Sequence, residues 1–169
     1  MGKVSTKKNK TEYHLCRENL GWSREFASEK LGMSPERLER IENEKMAIYP
    51  EEVIAMARVY KNPNLCNYYC SHQCPIGKKY VPEVKINNLS QIVLEMIVSL
   101  NKVNDNKNRL MEIIVDGKVS KDEIEDFVHI QEQLENISVT VSALQLWAEQ
   151  MLANGTIDVD KYNSLKTKK

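Results

Sequence analysis

The sequence predicts an all-α protein, in which a small N-terminal helical domain is followed by a long antiparallel helical hairpin. Three observations lead to this prediction. Residues 23–45 have the spacing of two short helices joined by a tight turn. Two later stretches carry apolar residues at alternating steps of three and four, as in helices that pack side by side. A short segment with a glycine and a helix-capping pattern separates those two stretches.

The first pair of helices is defined by a glycine and a capping serine. Gly32 stands where the chain must turn, and such a position favours a residue without a Cβ because φ is often positive there. Ser34 supplies a side-chain oxygen for the unpaired N–H groups of the next helix, and Pro35 takes the first helical position, where no donor is lost. Leu38 and Ile41 then share the inward side. A helix held outward on such a scaffold fits the major groove of DNA.

The stretch from Ser23 to Lys45, SREFASEKLGMSPERLERIENEK, resembles the helix-turn-helix of the lambda-repressor/Cro family, often called XRE-type regulators. The resemblance extends over residues 11–69 and implies a five-helix domain that binds double-stranded DNA, with a structural ion pair between Arg17 and Glu42. The family's base-reading positions fall on Pro35, Glu36 and Arg40. Its phosphate-contacting positions fall on Ser23, Arg24, Asn43 and Lys45. Arg37, with Arg40, is a further candidate for a base or near-base contact. The predicted DNA-binding residues are Arg24, Ser34, Pro35, Glu36, Arg37, Arg40, Asn43 and Lys45.

The chain departs from the family pattern in its charge. The family commonly has Gln or Arg where this chain has Pro35 and Glu36, and it usually has a helix-ending Gly where this chain has Glu44. Residues 11–60 contain 7 basic and 10 acidic side chains, a net charge of −3. DNA affinity comes largely from the neutralisation of phosphates, for which this domain has little positive charge. An alternative function is therefore a protein-binding adaptor or antagonist that keeps the fold without binding DNA.

A basic arm at residues 1–10 partly compensates for this acidity. Its four lysines either lie along the DNA backbone or in the minor groove, or belong to a solvated terminus. The arm contains Lys3, Lys7, Lys8 and Lys10.

Three cysteines and a histidine crowd into the stretch NLCNYYCSHQCPIG. Cys66 and Cys70 are four residues apart and would share one face of a helix, so they could hold one metal ion together. Cys74 could join them, and Cys16 or His72 could complete a structural zinc site. Three thiolates could also hold an iron–sulfur cluster or act as a redox sensor. The simpler interpretation is buried thiols that act as small hydrophobic residues.

The second half of the chain contains two long amphipathic helices. The first has an apolar seam at Leu89, Val93, Met96, Leu100, Val103, Leu110 and Ile114, interrupted by Lys107. The second has its seam at Phe127, Ile130, Leu134, Ile137, Val141, Leu144, Ala148 and Met151. Gly117 ends the first helix, and a capping box of Ser120 and Glu123 begins the second. The short connection predicts an antiparallel hairpin.

Apolar residues outside the two seams predict a further packing surface. A hairpin alone cannot cover them, whereas two hairpins in a four-helix bundle can, so we expect a homodimer through residues 88–154. The alternative is that they pack onto the N-terminal domain. The predicted domains are the basic arm at 1–10, the helix-turn-helix domain at 11–74, a linker at 75–87, the hairpin at 88–154 and a flexible tail at 155–169.

Composition and motifs narrow the function further. The net charge is zero, no apolar run approaches the length of a membrane span, and no apolar segment follows the basic N-terminus as in a signal peptide. We therefore expect a cytoplasmic protein. No enzyme motif is present. The sequence predicts a DNA-binding transcriptional regulator that reads a two-fold operator as a homodimer, with the adaptor and a thiol- or metal-responsive regulator as alternatives.

Overall fold

The computed structural model describes residues 10–166, and within that range the chain is helical without strands. The helices are α1 (Glu12–Asn19), α2 (Arg24–Leu31), α3 (Pro35–Glu42), α4 (Pro50–Val59), α5 (Asn64–His72), α6 (Gly77–Tyr80), α7 (Leu89–Asp105), α8 (Lys107–Ile113), α9 (Ile124–Ala153) and α10 (Val159–Lys166). The predicted all-α fold is confirmed. Of the described residues, 10–83 and 148–166 form one compact unit, and Val84–Trp147 form the other.

Short polar residues begin the first three helices of the N-terminal unit. The side chains of Thr11, Ser23 and Ser34 each accept a hydrogen bond from the backbone N–H three residues later. Gly32 ends α2 with a φ of +66°, the left-handed conformation predicted for the turn. Leu38 and Ile41 are buried on the inner side of α3, as predicted. The helix-turn-helix and the five helices α1–α5 are therefore present.

The stretch after α5 is more ordered than its proline and glycine content suggests. Pro75 does not break a helix here, because it lies in the turn before α6, which the hydrogen bond from the N–H of Lys78 to the carbonyl of Cys74 closes. The following helix, α6, lies so close to α5 that a Cβ on Gly77 would come within 2.1 Å of the Cys70 carbonyl oxygen. The predicted linker at 75–87 thus contains a helix before residues 81–88 continue without regular structure.

Other predicted segments also differ from expectation or lie outside the described residues. The tail predicted at 155–169 contains α10, which begins where the Asp158 carboxylate accepts a hydrogen bond from the N–H of Lys161 at 2.8 Å. Residues 1–9 of the basic arm lie outside the described part of the chain, as do residues 167–169. Lys10, the last residue of the arm, forms an ion pair with Glu18 at 2.6 Å.

The second unit is built on the predicted antiparallel hairpin, in which α7 and α8 form one arm and α9 the other. The Nδ2 group of Asn106 donates to Oε1 of Gln133 at 3.1 Å, and Arg109 pairs with Asp126 at 2.6 Å. As the position advances along the first arm from Asn106 to Arg109, its partner on the second arm moves back from Gln133 to Asp126, so the two arms are antiparallel. The first arm is interrupted at Asn106, where α7 ends.

The buried face of this hairpin follows the predicted seams only in part: Ile130 of the second seam is 2% exposed, but most of the first seam lies outside the buried face. Ile92 and Ile113 are each only 1% exposed, whereas Leu100 of the predicted seam is 50% exposed. Other exposed residues of the two predicted seams are Leu89, Val93, Ile114, Leu134 and Val141. The helices carry two overlapping apolar stripes with the same three-and-four spacing, so periodicity alone does not determine which stripe faces inward. The inner face also buries the polar side chains of Gln133 and Thr140.

None of the helices described here combines the length and apolar character that crossing a bilayer requires.

Candidate nucleic-acid interface

The outward side of α3 is open to solvent. Leu38 and Ile41 face the core, while Glu36, Glu39 and Arg40 are exposed on the opposite side. The helix begins at the capped Ser34–Pro35 pair and ends at Asn43, whose Nδ2 group donates to the carbonyl of Glu39 at 2.8 Å. The side chains on the outward side of α3 are therefore accessible to solvent.

A buried carboxylate fixes the end of α3 against α1 and α2. Glu42 is 0% exposed and accepts a hydrogen bond from Nη2 of Arg17 at 2.9 Å, as the family resemblance implied. Arg24 also donates to it, from Nε at 2.8 Å, which the sequence did not predict. Arg17 additionally donates to the carbonyl of Trp22 at 2.7 Å. Arg24, a predicted phosphate contact, is thus shared with the core, and 32% of its side chain is exposed.

The guanidinium of Arg37 is held by hydrogen bonds to other residues of the domain, an arrangement called here the clamp. Its guanidinium donates to both carboxylate oxygens of Glu52, at 2.9 and 2.7 Å, and to the carbonyl of Ala47 at 3.0 Å. It also lies over the ring of Tyr49, 5.1 Å from the centroid. This differs from its predicted role in base contact, because a carboxylate fifteen residues later in the chain occupies its hydrogen-bond donors. The clamp ties α3 to the start of α4.

The Arg37–Glu52 pair gives stability a specific pH dependence. The hydrogen bonds from Arg37 lower the pKa of Glu52 below its ordinary value of 4.5. The stabilisation is therefore complete above pH 4.5 and is lost as the pH falls through the lowered pKa. We expect Glu52→Gln to lower the free energy of unfolding by about 1 kcal/mol at pH 7. Urea denaturation at pH 7 and pH 3 should show this difference shrinking toward zero in acid.

Glu51→Gln is the matched control, because Glu51 is an exposed neighbour of the same charge. Its unfolding free energy should follow that of the unaltered protein at both pH values. An equal loss for Glu52→Gln at pH 7 and pH 3 would contradict the ionic origin of the clamp.

The start of α3 combines a negative charge with the predicted base-reading position. Ser34 accepts from the N–H of Arg37 at 3.1 Å, and Pro35 is half-buried at the first helical position. The pKa of Glu36 is lowered by a hydrogen bond from its own backbone N–H and then by the Ser34 hydroxyl and the Arg40 charge. Glu36 therefore stays ionised at neutral pH, as an acceptor that points outward.

The end of α3 continues into a strained residue and an exposed lysine. Glu44 has a φ of +56°, at the position where the family usually has glycine. The N–H of Lys45 bonds to the carbonyl of Arg40 at 2.8 Å, which closes the last turn, and its side chain is exposed. Arg40 and Lys45 are therefore the accessible cations among the predicted DNA-binding residues.

The predicted metal ligands do not converge. No group of three or more His, Cys, Asp or Glu side chains is arranged to hold a metal ion within residues 10–166. Cys16 is buried and accepts from Nδ2 of Asn62 at 2.9 Å, and burial raises the pKa of its thiol. Cys66, Cys70 and Cys74 are half-buried along α5 and the turn after it. His72 is exposed and stacks on Tyr68, with ring centroids 4.8 Å apart.

The burial of the cysteines fits a packing role more closely than a metal site. Burial raises the pKa of the Cys66 thiol, and the neighbouring Cys70 raises it further. In this structure the thiols support the contact between α5 and the rest of the N-terminal unit, since Cys66 packs on the hydrophobic core.

The geometry of α2, the left-handed turn and the outward α3 defines a helix-turn-helix protein. Residues 14–63 match the model of the family described as Helix-turn-helix, which confirms the predicted XRE-type domain. The matched domain is a DNA-binding domain of transcription regulators and is not a catalytic one. No curated protein and no solved structure gives a significant match to the chain.

Proposed function

We propose that this protein is a sequence-specific transcriptional regulator of the cytoplasm that reads a two-fold DNA operator as a homodimer. The observation that carries the proposal is the solvent-exposed outward side of α3 within a matched helix-turn-helix domain. On this proposal α3 enters the major groove, where helices of this arrangement contact base edges.

Arg40 and Glu36 supply the base contacts in this proposal. An arginine bonds most specifically to the O6 and N7 atoms of guanine, and a carboxylate accepts from the N4 amino group of cytosine. The two residues are four apart on α3 and so lie on one face of the helix. We therefore expect the half-site to require a G·C pair opposite each of them.

Phosphate contacts then come from the residues around α3. Lys45 is exposed directly after the helix, and the N–H groups and side chains of Ser34 and Asn43 mark its two ends. Arg24 contributes as well, since 32% of its side chain is exposed. These contacts fix the register of the domain on the duplex and carry no base information.

The proposed homodimer rests on the apolar face of the hairpin unit. Large exposed side chains on α7, on α8 and directly after α8 include Leu94, Ile97, Val98, Leu100, Met111 and Ile114. Val128, Leu134 and Val141 are exposed on α9. Soluble monomers rarely leave so many neighbouring apolar side chains uncovered. A second hairpin packed on this face would give a four-helix bundle and would hold two copies of α3 for successive major grooves.

Selection of bound sequences from a random duplex pool tests this function. We expect an inverted repeat with G·C pairs in each half-site, bound by a dimer. We also expect the logarithm of the affinity to fall steeply with the logarithm of the salt concentration, since several phosphates are contacted. If no sequence is enriched from the pool and the affinity for DNA does not change with salt concentration, the regulator function is ruled out.

The second candidate function is an adaptor that binds a protein through the same face. It is favoured by the carboxylates of Glu36, Glu39 and Glu44, which are all exposed, while Arg24 and Arg37 are held by other residues. Such a face suits a basic protein partner. Salt-independent behaviour toward duplex DNA, with tight binding of a basic partner, would support this candidate over the regulator.

Replacing Glu44 by glycine should raise both stability and DNA affinity. The positive φ of Glu44 costs about 1 kcal/mol, which glycine would relieve. The change also removes a negative charge next to Lys45, so we expect DNA binding to tighten several-fold at low salt. Thermal unfolding and fluorescence anisotropy with a labelled duplex would measure the two effects.

Lys61→Gly is the matched control, because Lys61 also has a positive φ, of 53°, after α4. It should gain similar stability without a gain in DNA affinity. Equal affinity changes in the two variants would contradict a role of the Glu44 charge at the DNA surface.

A further inference from the structure

An open cleft lies beside the end of α3, inside the N-terminal unit. Its volume is about 580 Å³, and it separates the loop after α3 from α5 and α6. Its apolar lining includes Ile41, Ile48 and the ring of Tyr13. Lys45, which follows α3, and Lys78, which belongs to α6, also line it. The cleft therefore begins at a residue that the proposed function already assigns to the DNA backbone.

Hydrogen-bond donors and cations dominate the polar lining of the cleft. The hydroxyl group of Tyr13 donates to Oε1 of Gln73 at 3.0 Å, and this bond directs the amide so that its NH₂ group remains as a donor. Burial raises the pKa of Tyr13, so its hydroxyl keeps the proton that makes this bond. Lys45 and Lys78 add two positive charges, against the single carboxylate of Glu44 among the lining residues. Such a lining suits an anion with several acceptor oxygens.

Lys78 is carried by a rigid element. Gly77 lies directly against the backbone of Cys70, and its N–H donates to Sγ of Cys74 at 3.4 Å. The N–H of Val81 bonds to the carbonyl of Gly77 at 2.7 Å and closes the short helix. The position of the Lys78 backbone is therefore fixed relative to α5, and α5 packs on the core of the same unit.

We propose that Lys78, together with Lys45 and Gln73, binds a phosphodiester group of the DNA strand that passes the end of α3. This inference rests on the proposed function and adds a contact from α6, outside the helix-turn-helix itself. Lys78 would also add a positive charge at the DNA surface, where residues 11–60 contribute a net charge of −3. Each phosphate neutralised by a lysine adds about 0.9 to the salt dependence of binding to duplex DNA.

The test compares Lys78→Gln with Lys79→Gln in the full chain. Lys79 belongs to the same short helix, but its ammonium group lies over the ring of Tyr80, 5.3 Å from the centroid, and it does not line the cleft. Anisotropy titrations of a labelled duplex over a range of salt concentrations give the slope for each protein. We expect Lys78→Gln to lower the steepness by about 0.9 and to weaken binding several-fold at low salt, and Lys79→Gln to match the unaltered protein.

The outcomes separate this inference from the proposed function. If DNA binding by the unaltered protein depends steeply on salt concentration and Lys78→Gln does not change that dependence, the inference is overturned and the proposed regulator function stands. Salt-independent DNA behaviour in the unaltered protein would overturn both. A titration with inorganic phosphate, followed by thermal unfolding, provides the third arm. If phosphate stabilises the unaltered protein but not Lys78→Gln, while their DNA slopes agree, the cleft serves a free phosphorylated ligand and the backbone contact is overturned.

Discussion

Replacing Glu42 by glutamine should lower the free energy of unfolding by about 3–5 kcal/mol, the largest loss that we expect from any single change. The carboxylate of Glu42 is fully buried and holds Arg17 and Arg24 together. A glutamine of the same shape would leave the guanidinium of Arg17, which is only 6% exposed, without its counter-charge. Urea denaturation followed by circular dichroism would measure the loss.

Loss of DNA binding should accompany this change, since the same carboxylate fixes the end of α3. Glu39→Gln is the control on the same helix, because Glu39 is exposed, and it should change stability by no more than about 0.5 kcal/mol. If the two variants unfold at the same urea concentration, Glu42 does not organise the domain as described.

The second large effect should come from the apolar face of the hairpin. We expect the double variant Val93→Glu and Leu100→Glu to be a monomer, because both side chains are exposed on one face of α7, where a second copy is proposed to pack. Operator binding should weaken by about 100-fold or more, since the two half-sites would no longer be bound as one unit. Sedimentation equilibrium and anisotropy with the selected operator would measure these changes.

Leu165→Glu provides the control for this experiment. Leu165 is an exposed apolar residue of α10, outside the hairpin, and its replacement should change neither mass nor affinity. If the double variant still sediments as a dimer, the interface does not include this face of α7. If the unaltered protein is a monomer, the proposed homodimer is wrong.

Local chemistry made the helix-turn-helix predictable from the sequence. Gly32 and Ser34 act on the backbone within a few residues of themselves, so the turn and the start of α3 could be predicted before the structure. The ion pair of Arg17 and Glu42 could be predicted only through the family resemblance. The start of α10 carried a similar local signal, the capping Asp158, which the prediction of a flexible tail overlooked.

The features that the sequence did not predict depend on residues far apart in the chain. The role of Arg37 is set by Glu52 on another helix, and periodicity around α3 contains no information about that partner. Likewise, Lys78 lines the same cleft as Lys45, a residue that follows α3 and lies far from Lys78 in the sequence. In the hairpin, two apolar stripes have the same spacing and either could form the inner face. Only the three-dimensional packing shows that Ile92 is buried.

A polar contact between the two arms of the hairpin has a consequence for the response of the proposed regulator. Asn106 and Gln133 meet through a hydrogen bond, whose net contribution to stability is only about 1 kcal/mol. In the proposed dimer, partner association and folding of this unit would therefore reinforce each other, and stability would rise with protein concentration. Operator occupancy would then grow with the square of the chain concentration at low expression, so that a modest change in synthesis produces a sharp change in output.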